Sequence, residues 1–323
     1  MQAKPDCPQA EVSNGAIRAR LYLPDPQSGY YRGTRFDWSG VIASLEYEGH
    51  NYYGPWFDRV DPSIHDFIYA ENGEIVAGAP SSSCGPAEEF STAGKALGYD
   101  AAKPGETFVK IGVGALRKPD AAPYDEYRVY EIADHGRWTV HTAPASVEFV
   151  QDLTEASGFG YRYRKTVRLA GGKPEMALEH SLTNTGTKKI ESSVYNHNFL
   201  VLDGHAPSPD FRLVFPFELR SGGGPKPELA EIHGRELTYR KKLEGRESVA
   251  ISLEGFGATA ADYDIRIQNA ALGAGVRITA DRPLEKLPLW SIRSVLSIEP
   301  FIHFAIDPGE EFTWTQTYTY YTL

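Results

Sequence analysis

Apolar and polar positions alternate along most of this chain. "AIRARLYL" (16–23), "YRYRKTVRL" (161–169) and "FTWTQTYTYY" (312–321) carry the period of two that marks half-buried strands. The last of these sets Trp314, Gln316, Tyr318 and Tyr320 on one face and threonines on the other. Turn-forming clusters punctuate the runs: "PDPQSG" at 24–29, "LAGGKPE" at 169–175, "NTGTKK" at 184–189, "SGGGPKPE" at 221–228 and "DPGEE" at 307–311. The pattern predicts an all-β protein, a large antiparallel β-sandwich of many short strands. Helix is confined to two short candidates, "PAEEFSTAGKAL" at 86–97 and a turn around "PELAEI" at 227–232. Residues 1–29 read as an amino-terminal extension and first strand, and 30–323 as one sandwich domain.

Two places break the apolar pattern. In "SVYNHNFLVLDG" (193–204), Asn196, His197 and Asn198 interrupt an otherwise apolar strand. Buried polar groups need partners, so these three either cap an irregular strand or face a site. In "LSIEPF" (296–301), Glu299 stands among Leu296, Ile298 and Phe301. A carboxylate there must reach water, pair with a cation or face a cavity whose ligand supplies its partners.

Composition removes several function classes. The 323 residues include 33 basic and 43 acidic side chains, a formal net charge of −10, without a Lys/Arg-rich block. That balance argues against a nucleic-acid partner. No run of about 18 apolar residues is present, so no membrane span is expected, and the amino terminus has no apolar signal-peptide core. The chain reads as soluble, either cytoplasmic or, if a signal peptide has been removed, periplasmic or secreted. The 19 Tyr against 2 Met suit pleated surfaces and sugar-type contacts. Cys7 and Cys84 could form one disulfide or remain two thiols, since spacing alone does not decide.

Catalytic motifs of the metal and nucleophile classes are missing. The sequence has no HExxH, no Cys-x-x-Cys, no calcium-loop spacing and no Gly-x-Ser-x-Gly, and "SGGGP" lacks the setting of a phosphate loop. No metal or cofactor is expected, and acid-base chemistry by histidine and carboxylate is left.

"YNHNFLVLDG" together with "SIEPFIHFAIDPGEEFTWTQTYTY" resembles the galactose mutarotases, or aldose 1-epimerases, over about residues 30–323. "SGVIASLEYEGHNYYG" and "LEHSLTNTGTKKI" are compatible with the same family. The resemblance implies a mutarotase-like sandwich. It also implies that a small-molecule sugar or oligosaccharide is the partner and that anomers interconvert by acid-base ring opening. His197 then takes the place of the general acid and Glu299 that of the general base, the two facing each other across a cleft wide enough for a sugar ring. Asp264, or less well Asp262, corresponds to a carboxylate that holds sugar hydroxyls, while Tyr195, Asn196, Asn198 and Trp290 would line the pocket.

The sequence also departs from the family. The Leu-His-Gly and Gly-Arg-x-x-Asn-Arg segments are absent. Lys110, which interrupts an apolar strand, is expected with Glu88 and Glu89 to remodel the sugar pocket. Arg32, Arg35, Arg59 and Lys110 are the early candidates for a phosphate site, provided at least two converge. An enzyme of this fold acting on a modified or linked sugar, and a carbohydrate-binding protein without turnover, stand as alternatives.

Overall fold

The computed structural model describes residues 7–92, 94–224 and 226–323. Strands dominate, and the helical segments among the described residues are three-residue 3-10 turns at Ala79–Ser81, Leu202–Gly204 and Ala260–Asp262. The largest layer is a ten-stranded sheet, antiparallel throughout. At its middle the Glu311–Thr322 strand pairs with Glu175–Asn184 on one side and Ala274–Ala280 on the other. Trp314, Gln316, Tyr318 and Tyr320 all lie on its buried face, as the alternation predicts.

Two smaller sheets complete the structure around the site. One is three-stranded, with Ile190–Phe199 between Phe301–Ile306 and Gly85–Ser91. The other is four-stranded and ends in Leu287–Ile292 and Val295–Ile298. A bridge between Leu200 and Leu296 joins them. Phe90 of the three-stranded sheet meets Tyr163 and Trp314 of the ten-stranded sheet edge-on, so aromatic rings fill the space between layers. The chain start belongs to this framework: Gln9–Ser13 and Arg18–Tyr22 form a hairpin paired to Val41–Tyr47.

The helix expected at 86–97 is replaced by the Gly85–Ser91 strand. Glu88 and Glu89, expected with Lys110 to remodel the sugar pocket, are buried on opposite faces of that strand, and each carboxylate meets cations from elsewhere in the chain. Glu88 contacts Lys165 and His180, and Glu89 contacts Arg35 and Lys110. Burial costs are offset by pairing, which no local pattern encodes. Near 227–232 a turn leads into the Ala230–His233 strand. Ala93 of the expected helix, and Pro225 of the Gly-rich connection, lie outside the described residues.

Candidate active site

Pleating of the Ile190–Phe199 strand sorts its side chains. Tyr195, His197 and Phe199 face a cavity of about 470 Å3, within the roughly 300–1,000 Å3 usual for small-molecule sites. Asn196 and Asn198 point the other way, toward the ten-stranded sheet. Asn196 donates to Glu88 Oε1 at 2.9 Å and accepts from Gln316 Nε2 at 2.7 Å. Asn198 accepts from the Tyr318 hydroxyl at 2.8 Å and donates to the Ile298 carbonyl, also at 2.8 Å. The last bond ties the His197 strand to the residue just before Glu299. The Glu299 amide donates to the Pro288 carbonyl at 2.8 Å, fixing the carboxylate from the opposite side.

With both strand ends fixed this way, His197 Nε2 lies 3.2 Å from Glu299 Oε1. The expectation that the two groups face each other across a sugar ring is therefore corrected: they touch, and the cavity opens beside them. Glu299 sits in the short link between Val295–Ile298 and Phe301–Ile306, the latter paired to the His197 strand, which leaves no width for a ligand between them. The imidazole is locked on its other sides as well. Its Nδ1 is 2.7 Å from Ser297 Oγ, and its ring stacks on Phe199 with centroids 3.8 Å apart. Phe36 and Trp290 meet it edge-on.

Burial drives both groups toward their uncharged forms. It raises the Glu299 carboxyl to about 8; the Arg35 charge pulls against this, and Glu89 and Glu126 add to it. Burial, followed by repulsion from Arg35, lowers His197 well below the ordinary imidazole value. Glu89 behaves differently. Burial would raise it, but Lys110 and Arg35 outweigh that and hold it near 2. Its carboxylate accepts from Arg35 Nε at 2.7 Å, Lys110 Nζ at 3.0 Å and the Tyr195 hydroxyl at 2.6 Å.

Of the binding residues expected from sequence, Tyr195 and Trp290 line the cavity. Lys110 is buried behind it, spending its charge on Glu89. Asn196 and Asn198 hold the strands rather than face the cavity. Asp264 is elsewhere: on the ten-stranded sheet it makes a two-pronged pair with Arg277, both bonds 2.7 Å. Alternation in "ADYDIRIQN" does not distinguish a ligand carboxylate from one paired across neighbouring strands. Asp262 accepts from the Gly257 amide in a local turn. Among the phosphate candidates, Arg35 and Lys110 do converge, but on Glu89. Arg32 donates to the Gln27 carbonyl and Arg59 pairs with exposed Asp61 and Glu74.

The far wall comes from loops. Asp66 arrives on one, with Phe67 opening the short Phe67–Tyr69 strand that follows it, Glu126 and Tyr127 on another, and Trp56 packs flat against Phe199. The two loops meet where His65 Nε2 lies 2.6 Å from Asp125 Oδ2. These wall residues carry no periodic signal, so sequence reading passes over them. Among the described residues no group of three or more His, Cys, Asp or Glu could hold a metal ion, and no helix is long and apolar enough to cross a membrane.

No protein-family model matches the sequence, and no curated protein does. Solved structures do resemble it in shape. A galactose mutarotase-like protein from Lactobacillus casei superimposes with a TM-score of 0.57 at 13% identity, covering 97% of this chain and 100% of that one. A galactose mutarotase related enzyme from Lactobacillus acidophilus gives 0.54 at 13%, covering 97% of each. An aldose epimerase homologue from C. elegans gives 0.50 at 15%, covering 98% and 99%. The chain has the galactose mutarotase-like β-sandwich fold, and at this identity the likeness speaks for the fold alone.

Proposed function

We propose that this protein is an aldose 1-epimerase-like isomerase that interconverts the anomers of a sugar by opening and reclosing its ring. The observation that carries the reading is the Glu299–His197 contact at the floor of a cavity of sugar-binding size. That cavity has Trp290 and Trp56 for the apolar faces of a pyranose and Arg35, Asp66 and Glu126 for its hydroxyls.

Ring opening takes one proton from the anomeric hydroxyl and gives one to the ring oxygen, so a pair that does both keeps its proton count. In the buried floor the resting pair is a Glu299 carboxylic acid beside a neutral imidazole. His197 Nε2 takes the O1 proton while Glu299 delivers its own to O5; the C1–O5 bond breaks and C1=O1 forms. The resulting imidazolium and carboxylate attract one another at close range, which offsets the charge separation. Rotation about C1–C2 turns the other carbonyl face toward the hydroxyl, and the same steps run backward to close the ring. The resting polarity is the reverse of that implied by the sequence resemblance, which begins with Glu299 as base. Because closing is the reverse of opening, each group serves as both acid and base over the cycle.

The test is anomer exchange in a panel of free aldoses, read by NMR saturation transfer between α and β anomeric protons. Exchange faster than in buffer, lost in a folded Glu299→Gln variant, is the expected result. Sugar binding without exchange would instead identify a carbohydrate-binding protein.

A further inference from the structure

We propose that Ser297 is a positioning residue for His197: its hydroxyl oxygen accepts the ring proton at Nδ1 and so leaves Nε2 free to exchange protons with Glu299 and the substrate. The inference rests on the proposed isomerase reading for its role, but not for its geometry. Ser297 is fully buried, two residues before Glu299, and its Oγ is 2.7 Å from Nδ1. Among the described residues that hydroxyl is the one group hydrogen-bonded to Nδ1, and Glu299 the one group paired with Nε2. Both ring nitrogens are thus committed, each to an oxygen able to donate or accept.

A neutral imidazole carries a single ring proton, and the nitrogen that holds it is set by the partner of the other. Burial favours the protonated Glu299 carboxyl, and beside that acid, 3.2 Å away, a bare Nε2 is favoured over a second proton facing the first. The ring proton then belongs on Nδ1, where Ser297 Oγ receives it. Arg35, Glu89, Glu126 and Tyr195 also face the cavity, yet Arg35 and Tyr195 are bound to Glu89 rather than to the imidazole. Without the Ser297 oxygen, an Nδ1–H would be buried and unpaired among Phe36, Phe199 and Trp290. The ring would then favour the Nε2–H form, which has no lone pair for the O1 proton.

The tautomer can be read without any sugar, from the 15N shifts of His197 in histidine-labelled protein, assigned by comparison with His197→Gln. Wild type at pH 7 should show a protonated Nδ1 and a bare Nε2. Ser297→Ala should shift the population toward protonated Nε2 and lower kcat roughly tenfold or more with little change in KM, and Ser297→Thr should restore both. A wild-type ring protonated at Nε2, or a Ser297→Ala ring that keeps the wild-type tautomer, overturns the proposal. The wild-type reading decides even if Ser297→Ala fails to fold. Should no aldose exchange in wild type, the isomerase reading falls, while the tautomer measurements still confirm or overturn the role of Ser297 in fixing the ring.

Discussion

Glu299 is held in a place that costs the fold stability once its carboxyl ionises. Its carboxyl titrates near 8 in the folded protein against an ordinary 4.5, so between these values the folded state binds a proton that the unfolded state has released. Stability from this group is complete below pH 4.5 and is lost as pH rises through about 8, a swing of about 5 kcal/mol at most. Glu299→Gln has no such ionisation. Its melting temperature should therefore match or fall below wild type at pH 5 and exceed it by several degrees at pH 9, as differential scanning calorimetry at the two pH values would show. For the proposed isomerase the same titration would set the activity. Exchange needs the pair's transferable proton, so its rate should fall as pH rises through about 8. No loss is expected between pH 8 and 6.5, because His197 stays neutral there. An exchange rate that climbs across pH 8 would contradict the proposed resting polarity.

At the level of strands, what alternation encodes was legible and what long-range pairing encodes was not. The buried face of Glu311–Thr322 follows from its sequence, and so do the apolar neighbours that single out His197 and Glu299. The strand character of Gly85–Ser91 does not, because its two glutamates are stabilised by Lys165, His180, Arg35 and Lys110, all distant in sequence. Asn198 was legible as an interruption but not as what it is, a clip between the His197 strand and the Glu299 turn. Asn198→Ala removes three buried hydrogen bonds and leaves the Ile298 carbonyl without that donor, a loss of about 2–4 kcal/mol. Denaturant melts should show that loss. Exchange measured where the variant is still fully folded should also drop, since the clip sets the spacing of the acid-base pair. Asp264→Asn, by contrast, touches a partly exposed pair outside the cavity lining and should leave exchange unchanged and stability within about 1 kcal/mol.

Across the whole molecule, charge is buried between the layers as well as at the site. Lys165 contacts Glu88 and lies 3.5 Å from Asp37, with His180 3.0 Å from Glu88, all without solvent exposure. Removing one partner strands the others, so Lys165→Met should cost about 3–5 kcal/mol, readable as a shifted denaturation midpoint with the slope unchanged. Replacing Lys165 and Glu88 together by apolar residues should cost less than the sum of the two changes, since neither charge is then left facing the other's vacancy, while Asp37, His180 and Asn196 still lose a partner. The order of strands in the large sheet has a different kind of consequence, one for synthesis. Its central member, Glu311–Thr322, is the latest of the ten in chain order, and it joins halves that are already complete. Until it has been made, a nascent chain carries two open strand edges, Glu175–Asn184 and Ala274–Ala280, both ready to pair with another copy. A ribosome that stalls before residue 311 would release a protein with every residue of its acid-base floor already translated and a gap down the middle of its largest sheet. Such a fragment should aggregate rather than fold.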